Sequence, residues 1–200
     1  MRSYTSDIAF TDAVKSVQER LGSRKNYHRM EEGGGWQSTI TPDLAAYLGD
    51  RDSVYLATAS ADGQPYIQHR GGAKGFLKVI DDKTLGFADF AGNRQYVSMG
   101  NLSENNKATL FVMDYVSRSR IKIWGTARFE ENDTDLINSL RDEEYKGRVE
   151  RAFIFEVEAW DANCPQHIKP RFTEEQVVDV VNPLLDKIEK LEAQLALIAM

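Results

Sequence analysis

The sequence predicts a mainly β protein, an antiparallel barrel of six or seven short strands with flanking helices. Short apolar stretches bounded by turn residues recur through the middle of the chain. One pair of them is joined by Ala61-Asp62-Gly63-Gln64, a sequence typical of a hairpin turn. Helical periodicity is strong only near the two ends. We therefore expect an N-terminal helical segment with a loop (1–50), a barrel (51–172) and a C-terminal helix (173–200).

The N-terminal segment contains two predicted helices. Apolar residues at helical spacing predict the first from about Ser6 to Leu21, with Gly22 ending it. The polar, glycine-rich stretch Ser23–Thr39 is expected to be a loop. Thr41 before Pro42 predicts the cap and first turn of a short helix that ends by Gly49.

The strands of the barrel are predicted from alternating or continuous apolar runs between turns. They are Val54–Ser60, Pro65–Gly71, Phe76–Ile80, Thr84–Phe90, Ala108–Tyr115, Arg120–Phe129 and Ala152–Ala159. Short helical connections are expected at Arg94–Leu102 and Thr134–Leu140.

The C-terminal segment carries an apolar seam whose spacings alternate between four and three residues, as in a coiled coil. The seam consists of Val177, Val181, Leu184, Ile188, Leu191, Leu195 and Ile198. Pro183 removes one helical hydrogen bond, so we expect a kink or a break near Asp179–Pro183. Either the chain's own barrel or a second copy must cover the seam.

The composition excludes several classes of protein. A net charge of −6 argues against general nucleic-acid binding, although local basic groups could still hold one phosphate. One cysteine cannot form an intrachain disulfide, and no apolar segment has the length of a leader or a membrane span. We therefore expect a cytoplasmic protein with neither a nucleic-acid nor a membrane partner. Cys164 is expected to be a buried or inert thiol.

Common catalytic and metal-binding motifs are missing from the sequence. The three histidines are far apart and lack the spacing of metal ligands, so no metal site is expected. No catalytic residue can be assigned. His69 and His167 are candidate proton donors because imidazole titrates near neutral pH.

Four segments, in order, resemble the pyridoxamine 5′-phosphate oxidase-related FMN-binding proteins. They are residues 59–72, 87–96, 121–128 and 158–171. The resemblance covers residues 50–172 and implies a split β-barrel that binds FMN at the interface of a homodimer. It also implies an FMN-dependent oxidoreductase acting on a small molecule or on NAD(P)H. A non-catalytic flavin carrier or sensor, or a barrel that binds deazaflavin or haem, remains an alternative.

The resemblance implies the residues that contact the cofactor. They are Gln68, His69, Arg70, Gly71, Phe87, Ala88, Asn93, Arg94, Gln95, Arg120, Trp160 and Arg171. The triplet Asn93-Arg94-Gln95 is expected to open a helix, where backbone amides and a guanidinium group form an anion site for the FMN phosphate. Arg70 and Lys74 are candidates for a second positive charge. From the residues alone, Trp160 could instead be core packing.

The segment between Trp160 and Arg171 departs from the pattern of the oxidases. There the relatives carry an arginine and a histidine that hold the substrate phosphate, whereas this chain is one residue longer and has His167 and Lys169. We therefore expect a substrate other than pyridoxamine 5′-phosphate.

Overall fold

A computed structural model describes residues 3–163 and 165–198. Cys164, whose thiol was expected to be buried or inert, lies outside the described residues. The described chain divides into two compact units, residues 3–113 with 120–163, and residues 114–119 with 165–198.

The first unit is built on one mainly antiparallel sheet of seven strands, which confirms the predicted fold class. The strands are β1 (Ser53–Ala59), β2 (Pro65–Gly71), β3 (Lys78–Val79), β4 (Thr84–Phe90), β5 (Lys107–Asp114), β6 (Ser119–Glu130) and β7 (Val149–Asn163). Their spatial order is β2-β1-β5-β6-β7-β4-β3. The third predicted strand is shorter than expected and the seventh is longer.

The helices of the chain flank this sheet or lie in the second unit. They are α1 (Asp12–Arg20), α2 (Arg24–Glu32), α3 (Pro42–Gly49), α4 (Val97–Glu104), α5 (Thr134–Ser139) and α6 (Glu174–Ile198).

The sheet curls, so that strands far apart in its order meet. Arg70 of β2 contacts Asp89 of β4, although four strands lie between these two in the sheet. The alternating side chains of β1 show the inner face, where Val54, Leu56 and Thr58 are buried. The interior is filled by an aromatic and aliphatic core that includes Phe153 and Phe155.

A bulge in the β6–β7 ladder requires glycine at residue 125. The register shifts between Trp124 and Gly125. A Cβ at Gly125 would lie 1.8 Å from the carbonyl oxygen of Glu156. Only glycine lets the two strands approach this closely.

The N-terminal helices differ from the prediction in two ways. A 3₁₀ turn at Thr5–Ile8 comes first, and α1 begins only after Thr11, whose hydroxyl accepts from the amide of Val14. The expected loop after α1 contains the helix α2. Apolar periodicity could not reveal α2 because its one buried residue is Glu31, which pairs with Arg24.

The segment between α2 and α3 connects the helices to the barrel. The indole of Trp36 stacks on that of Trp124, with centroids 4.6 Å apart and planes 6° from parallel. Gln37 forms a β-bridge with Trp160. The predicted cap of α3 is confirmed, because the Thr41 hydroxyl accepts from the amide of Leu44 and Pro42 opens the helix.

In the second unit, α6 is a single helix that continues through Pro183. Of the kink or break expected near Asp179–Pro183, the break is therefore wrong, and the kink stays a prediction. One proline removes one hydrogen bond, and the turns on either side hold the helix together. The seam residues from Val177 to Leu195 are all exposed. No helix among the described residues combines the length and the apolar character that crossing a bilayer requires.

Candidate functional site: an arginine-lined cleft

Alternation along β2 divides the first group of predicted site residues between two faces of the strand. Gln68 and Arg70 are half-buried, and they line a cleft next to β4 and α4. His69 is exposed on the opposite face and meets the ring of Tyr55 edge-on at 5.7 Å. Gly71 shares the face of His69. Only two of these four side chains therefore reach the cleft.

Asp89 is the carboxylate at the centre of the cleft. Arg70 Nη1 donates to its Oδ1 at 2.7 Å, and Arg151 Nε lies 3.7 Å from its Oδ2. Burial raises the pKa of Asp89 above its ordinary value, while the positive charges of Arg70 and Arg151 oppose this rise. Glu150 adds a smaller rise.

Arg151 of β7 is a buried guanidinium that holds the cleft wall together. Its Nη2 donates to Glu150 at 2.8 Å, and its Nη1 donates to the sulfur of Met99 at 2.9 Å. It also lies under the ring of Tyr96, 5.4 Å from the centroid. These contacts tie β7 to α4 and to the loop that precedes α4.

Two donors in this cluster are not used. Arg70 Nε and Arg151 Nε are both buried, and neither has a hydrogen-bond partner among the described residues. A buried donor without an acceptor is costly, and most such groups in folded proteins are satisfied. The arginines of the cleft therefore carry two unsatisfied donors, and an anion is the acceptor that guanidinium groups favour.

The loop from Gly92 to Tyr96 forms the outer wall of the cleft. Asn93, Arg94 and Tyr96 all line it and are exposed. Arg94 and Tyr96 have left-handed backbone, with φ of 59° and 54°, which is uncommon for residues other than glycine. The helix expected to begin at Arg94 begins at Val97, so that prediction is wrong. Two left-handed residues interrupt the helical path and turn the loop over the cleft.

The helix α4 is anchored to the barrel beside the cleft. Buried Ser98 donates to Gln68 Oε1 at 3.2 Å, and Asn101 donates to the hydroxyl of Thr58 at 3.0 Å. Lys74, the alternative second charge, instead pairs with Asp50 at 2.8 Å. Of the two candidates, only Arg70 lines the cleft.

The balance of charge in the cleft is positive. Arg70, Arg94 and Arg151 face Asp89 and Glu150, which leaves one net positive charge among these lining residues. The cavity volume is only about 50 Å³. It suits a small anionic group, and anything attached to that group must lie outside the cleft.

Several other predicted site residues lie elsewhere in the first unit. Phe87 is buried in the core and stacks on Phe153 at 4.6 Å, and Ala88 belongs to a second buried cluster beneath α5. Only their backbone can face a ligand. Gln95 is exposed, and its backbone amide donates to the side-chain oxygen Oδ1 of Asn93 at 3.2 Å. Arg120, at the start of β6, is half-buried and pairs with Asn163 in the sheet.

Trp160 packs against the main core, and its indole nitrogen donates to the carbonyl of Thr39 at 2.8 Å. This is the core packing that the residues alone allowed.

In the second unit, the guanidinium of Arg171 lies over the ring of Tyr115, 4.4 Å from the centroid. Within residues 3–163 and 165–198, no three histidine, cysteine, aspartate or glutamate side chains are placed to hold a metal ion.

Four residues of the cleft were not predicted from the sequence: Asp89, Tyr96, Ser98 and Arg151. Two of these residues could have been recognised from the sequence, because Asp89 and Arg151 are charged residues inside apolar strands. A charged side chain in such a strand needs a partner of opposite charge, and here the two provide one for each other.

Comparisons with known proteins found one matching protein family and several structures of similar fold. The family model for pyridoxamine 5′-phosphate oxidase matches residues 40–167. HupZ from Group A Streptococcus is 19% identical, with a TM-score of 0.51 over 66% of this chain and 99% of that chain. A single-residue variant of HupZ is 20% identical, with the same TM-score over 62% and 99%. An FMN-binding protein from Syntrophomonas wolfei is 14% identical, with a TM-score of 0.47 over 76% and 97%. The two HupZ structures, with TM-scores of 0.51, show a likeness of fold alone. No curated protein matches the sequence.

Proposed function

Because the chain belongs to the pyridoxamine 5′-phosphate oxidase family, we propose that it binds FMN and acts as a cytoplasmic flavoprotein oxidoreductase. The observation that carries this proposal is the pair of buried guanidinium Nε atoms without acceptors, beside the exposed Arg94. A terminal phosphate would supply acceptors at this point. The donors present in the cleft therefore fit the phosphate end of FMN.

In this proposal each residue of the cleft has a distinct task. Arg94 and the unused donors of Arg70 and Arg151 hold the phosphate, while Asp89 fixes the two buried arginines from behind. Gln68 and Ser98 orient the neighbouring strand and helix. Bound FMN supplies hydride or electron transfer at its ring, and the chain supplies binding and orientation.

The test of the proposal is the absorption spectrum of the purified full-length chain. We expect a flavin spectrum, and denaturation should release FMN rather than FAD, because the small cleft suits one terminal phosphate. Protein that stays colourless after incubation with excess FMN would contradict the proposal. A Soret band would indicate haem, and a band of deazaflavin would indicate that cofactor instead.

We also propose that two copies of the chain complete each FMN site. A cavity of about 50 Å³ can hold the phosphate alone, so the ribityl chain and the ring must contact other surfaces. The family resemblance implies that a second copy provides them. The edge strand β2 supports this, since among the described strands it pairs only with β1 and leaves Ile67 62% exposed. We expect light scattering to show a dimer, and flavin absorbance to show one FMN per chain. A flavin-loaded monomer would rule out the shared site.

Turnover of pyridoxamine 5′-phosphate is expected to be negligible. The segment before Arg171 offers His167 and Lys169 in place of the arginine and histidine that hold the substrate phosphate in relatives. Arg171 itself lies over Tyr115. Oxygen uptake by the FMN-loaded protein with this substrate should match uptake without it, and a pyridoxamine 5′-phosphate oxidase assayed in parallel provides the positive control. Sustained turnover close to that of the control would contradict this prediction and show that the protein oxidises pyridoxamine 5′-phosphate.

A further inference from the structure

The helix α6 exposes one continuous apolar face. Its 25 residues span about 37 Å at the usual rise per residue. The seam residues Val181, Leu184, Ile188 and Leu191 are each between 39% and 55% exposed. Polar residues such as Asp186 and Glu189 occupy the other side of the helix. A single side of α6 is therefore available to be covered.

The residue types along this seam favour a particular partner. Its spacings put Val181, Ile188 and Leu195 at heptad positions a. They put Val177, Leu184, Leu191 and Ile198 at positions d. Two of the three a residues are β-branched, and leucine stands at the two central d positions, 184 and 191. This combination favours two parallel strands over larger bundles. Pro183 falls at position c, which faces away from the seam.

The charges beside the seam favour the same arrangement. Lys187 lies at position g and Glu192 at position e, five residues apart. In a parallel, in-register pair each g residue faces the e residue of the next heptad on the other helix, so Lys187 meets Glu192 twice. In an antiparallel pair g faces g and e faces e, and this attraction is lost. Val180 and Leu185 stand in the same g-to-e relation and extend the apolar contact.

We propose that α6 pairs with α6 of a second copy as a parallel, two-stranded coiled coil. This contact uses no residue that lines the proposed flavin cleft, because every residue that forms it lies between Val177 and Leu195. It joins two chains in register from their C-terminal ends, whether or not cofactor is bound.

Cysteine cross-linking in the full-length chain tests the arrangement. In a Cys164→Ser background, Ile188→Cys places two thiols opposite each other at an a position, within reach of a disulfide. Glu189→Cys is the matched control, one residue away on the outer side of the helix. We expect the dimeric disulfide to form roughly tenfold faster at 188 than at 189, because facing thiols have a high effective concentration. Equal rates, or no disulfide at 188, would overturn the proposal.

Charge exchange tests the orientation independently of any disulfide. Lys187→Glu should lower the concentration-dependent melting temperature of the helical signal, because it opposes Glu192 of the other copy. Adding Glu192→Lys to the same chain should restore the melting temperature, because the parallel pairs are attractive again. Additive losses in the double variant would exclude the parallel register.

Discussion

Replacing Arg70 with methionine is expected to lower the free energy of unfolding by about 3 kcal/mol, the lower end of the range for breaking a buried ion pair. Arg70 is the closer of the two arginines that compensate Asp89, and its side chain is only 17% exposed. Methionine keeps much of the length and the apolar contact of the stem but leaves the carboxylate with Arg151 alone. Chemical denaturation of the cofactor-free protein measures the loss.

The loss should depend on pH in a defined direction. Burial raises the pKa of Asp89 and Arg70 opposes that rise, so without Arg70 the pKa rises further. A carboxyl group with a raised pKa binds its proton more tightly in the folded chain than in the unfolded chain. The free energy of unfolding therefore falls as the pH rises through the interval between the two pKa values. The deficit of the variant should be larger at neutral pH than at an acidic pH where Asp89 is protonated in both proteins.

The matched control is Arg128→Met, which removes an arginine whose side chain is 55% exposed and which pairs loosely with Glu156 at the surface, outside the cluster around Asp89. Exposed pairs contribute little, so its stability should stay close to that of the parent at both pH values. If the two variants lost the same stability, the cluster around Asp89 would have no special role.

Replacing Arg94 with alanine is expected to weaken FMN binding by about 1.5–3 kcal/mol, the scale of a hydrogen bond to a charged group. This corresponds to a rise in Kd of roughly 10- to 150-fold. Arg94 is exposed on a loop, so its removal should leave the stability of the cofactor-free protein nearly unchanged. Titration of the cofactor-free protein with FMN measures the effect.

Arg128→Ala is the control for this measurement. Arg128 is also an exposed arginine, but it lies on β6 and pairs loosely with Glu156 at 3.9 Å. Its removal changes the net charge of the chain by the same amount and should leave the affinity for FMN as it was. Equal affinities for the parent and the Arg94 variant would exclude Arg94 from the phosphate site.

The strands could be predicted because their local signals agree with the final fold. The bounds of β2 and β4 are as predicted, since turn residues at 61–64 and 81–83 flank runs with clear strand character. The meeting of Arg70 and Arg94 in one cleft followed from the family resemblance. Strand alternation alone then indicates that Arg70 and Gln68 share a face that His69 cannot reach.

The features of the fold and the cleft that were not predicted depend on contacts between residues far apart in the chain. Residues 24–32 are mostly polar and lack an apolar stripe, and α2 forms there with Glu31 buried against Arg24 and Ser6. The pairing of Asp89 with Arg151 arises because β4 lies beside β7, which no local pattern reveals. Left-handed backbone at Arg94 and Tyr96 likewise contradicts local preference and depends on the surrounding structure.

The three tryptophans of this chain are gathered where the N-terminal segment meets the barrel. Trp36 stacks on Trp124, and Trp160 hydrogen-bonds to Thr39 of the same segment. Intrinsic tryptophan fluorescence therefore reports on the contact between the N-terminal segment and the barrel, since the sequence has no tryptophan elsewhere. A change in emission that precedes the loss of β-sheet circular dichroism during denaturation would record the segment lifting from an intact barrel. Unfolding studies of the flavin cleft thus need a second optical signal, from the cofactor or from an introduced dye.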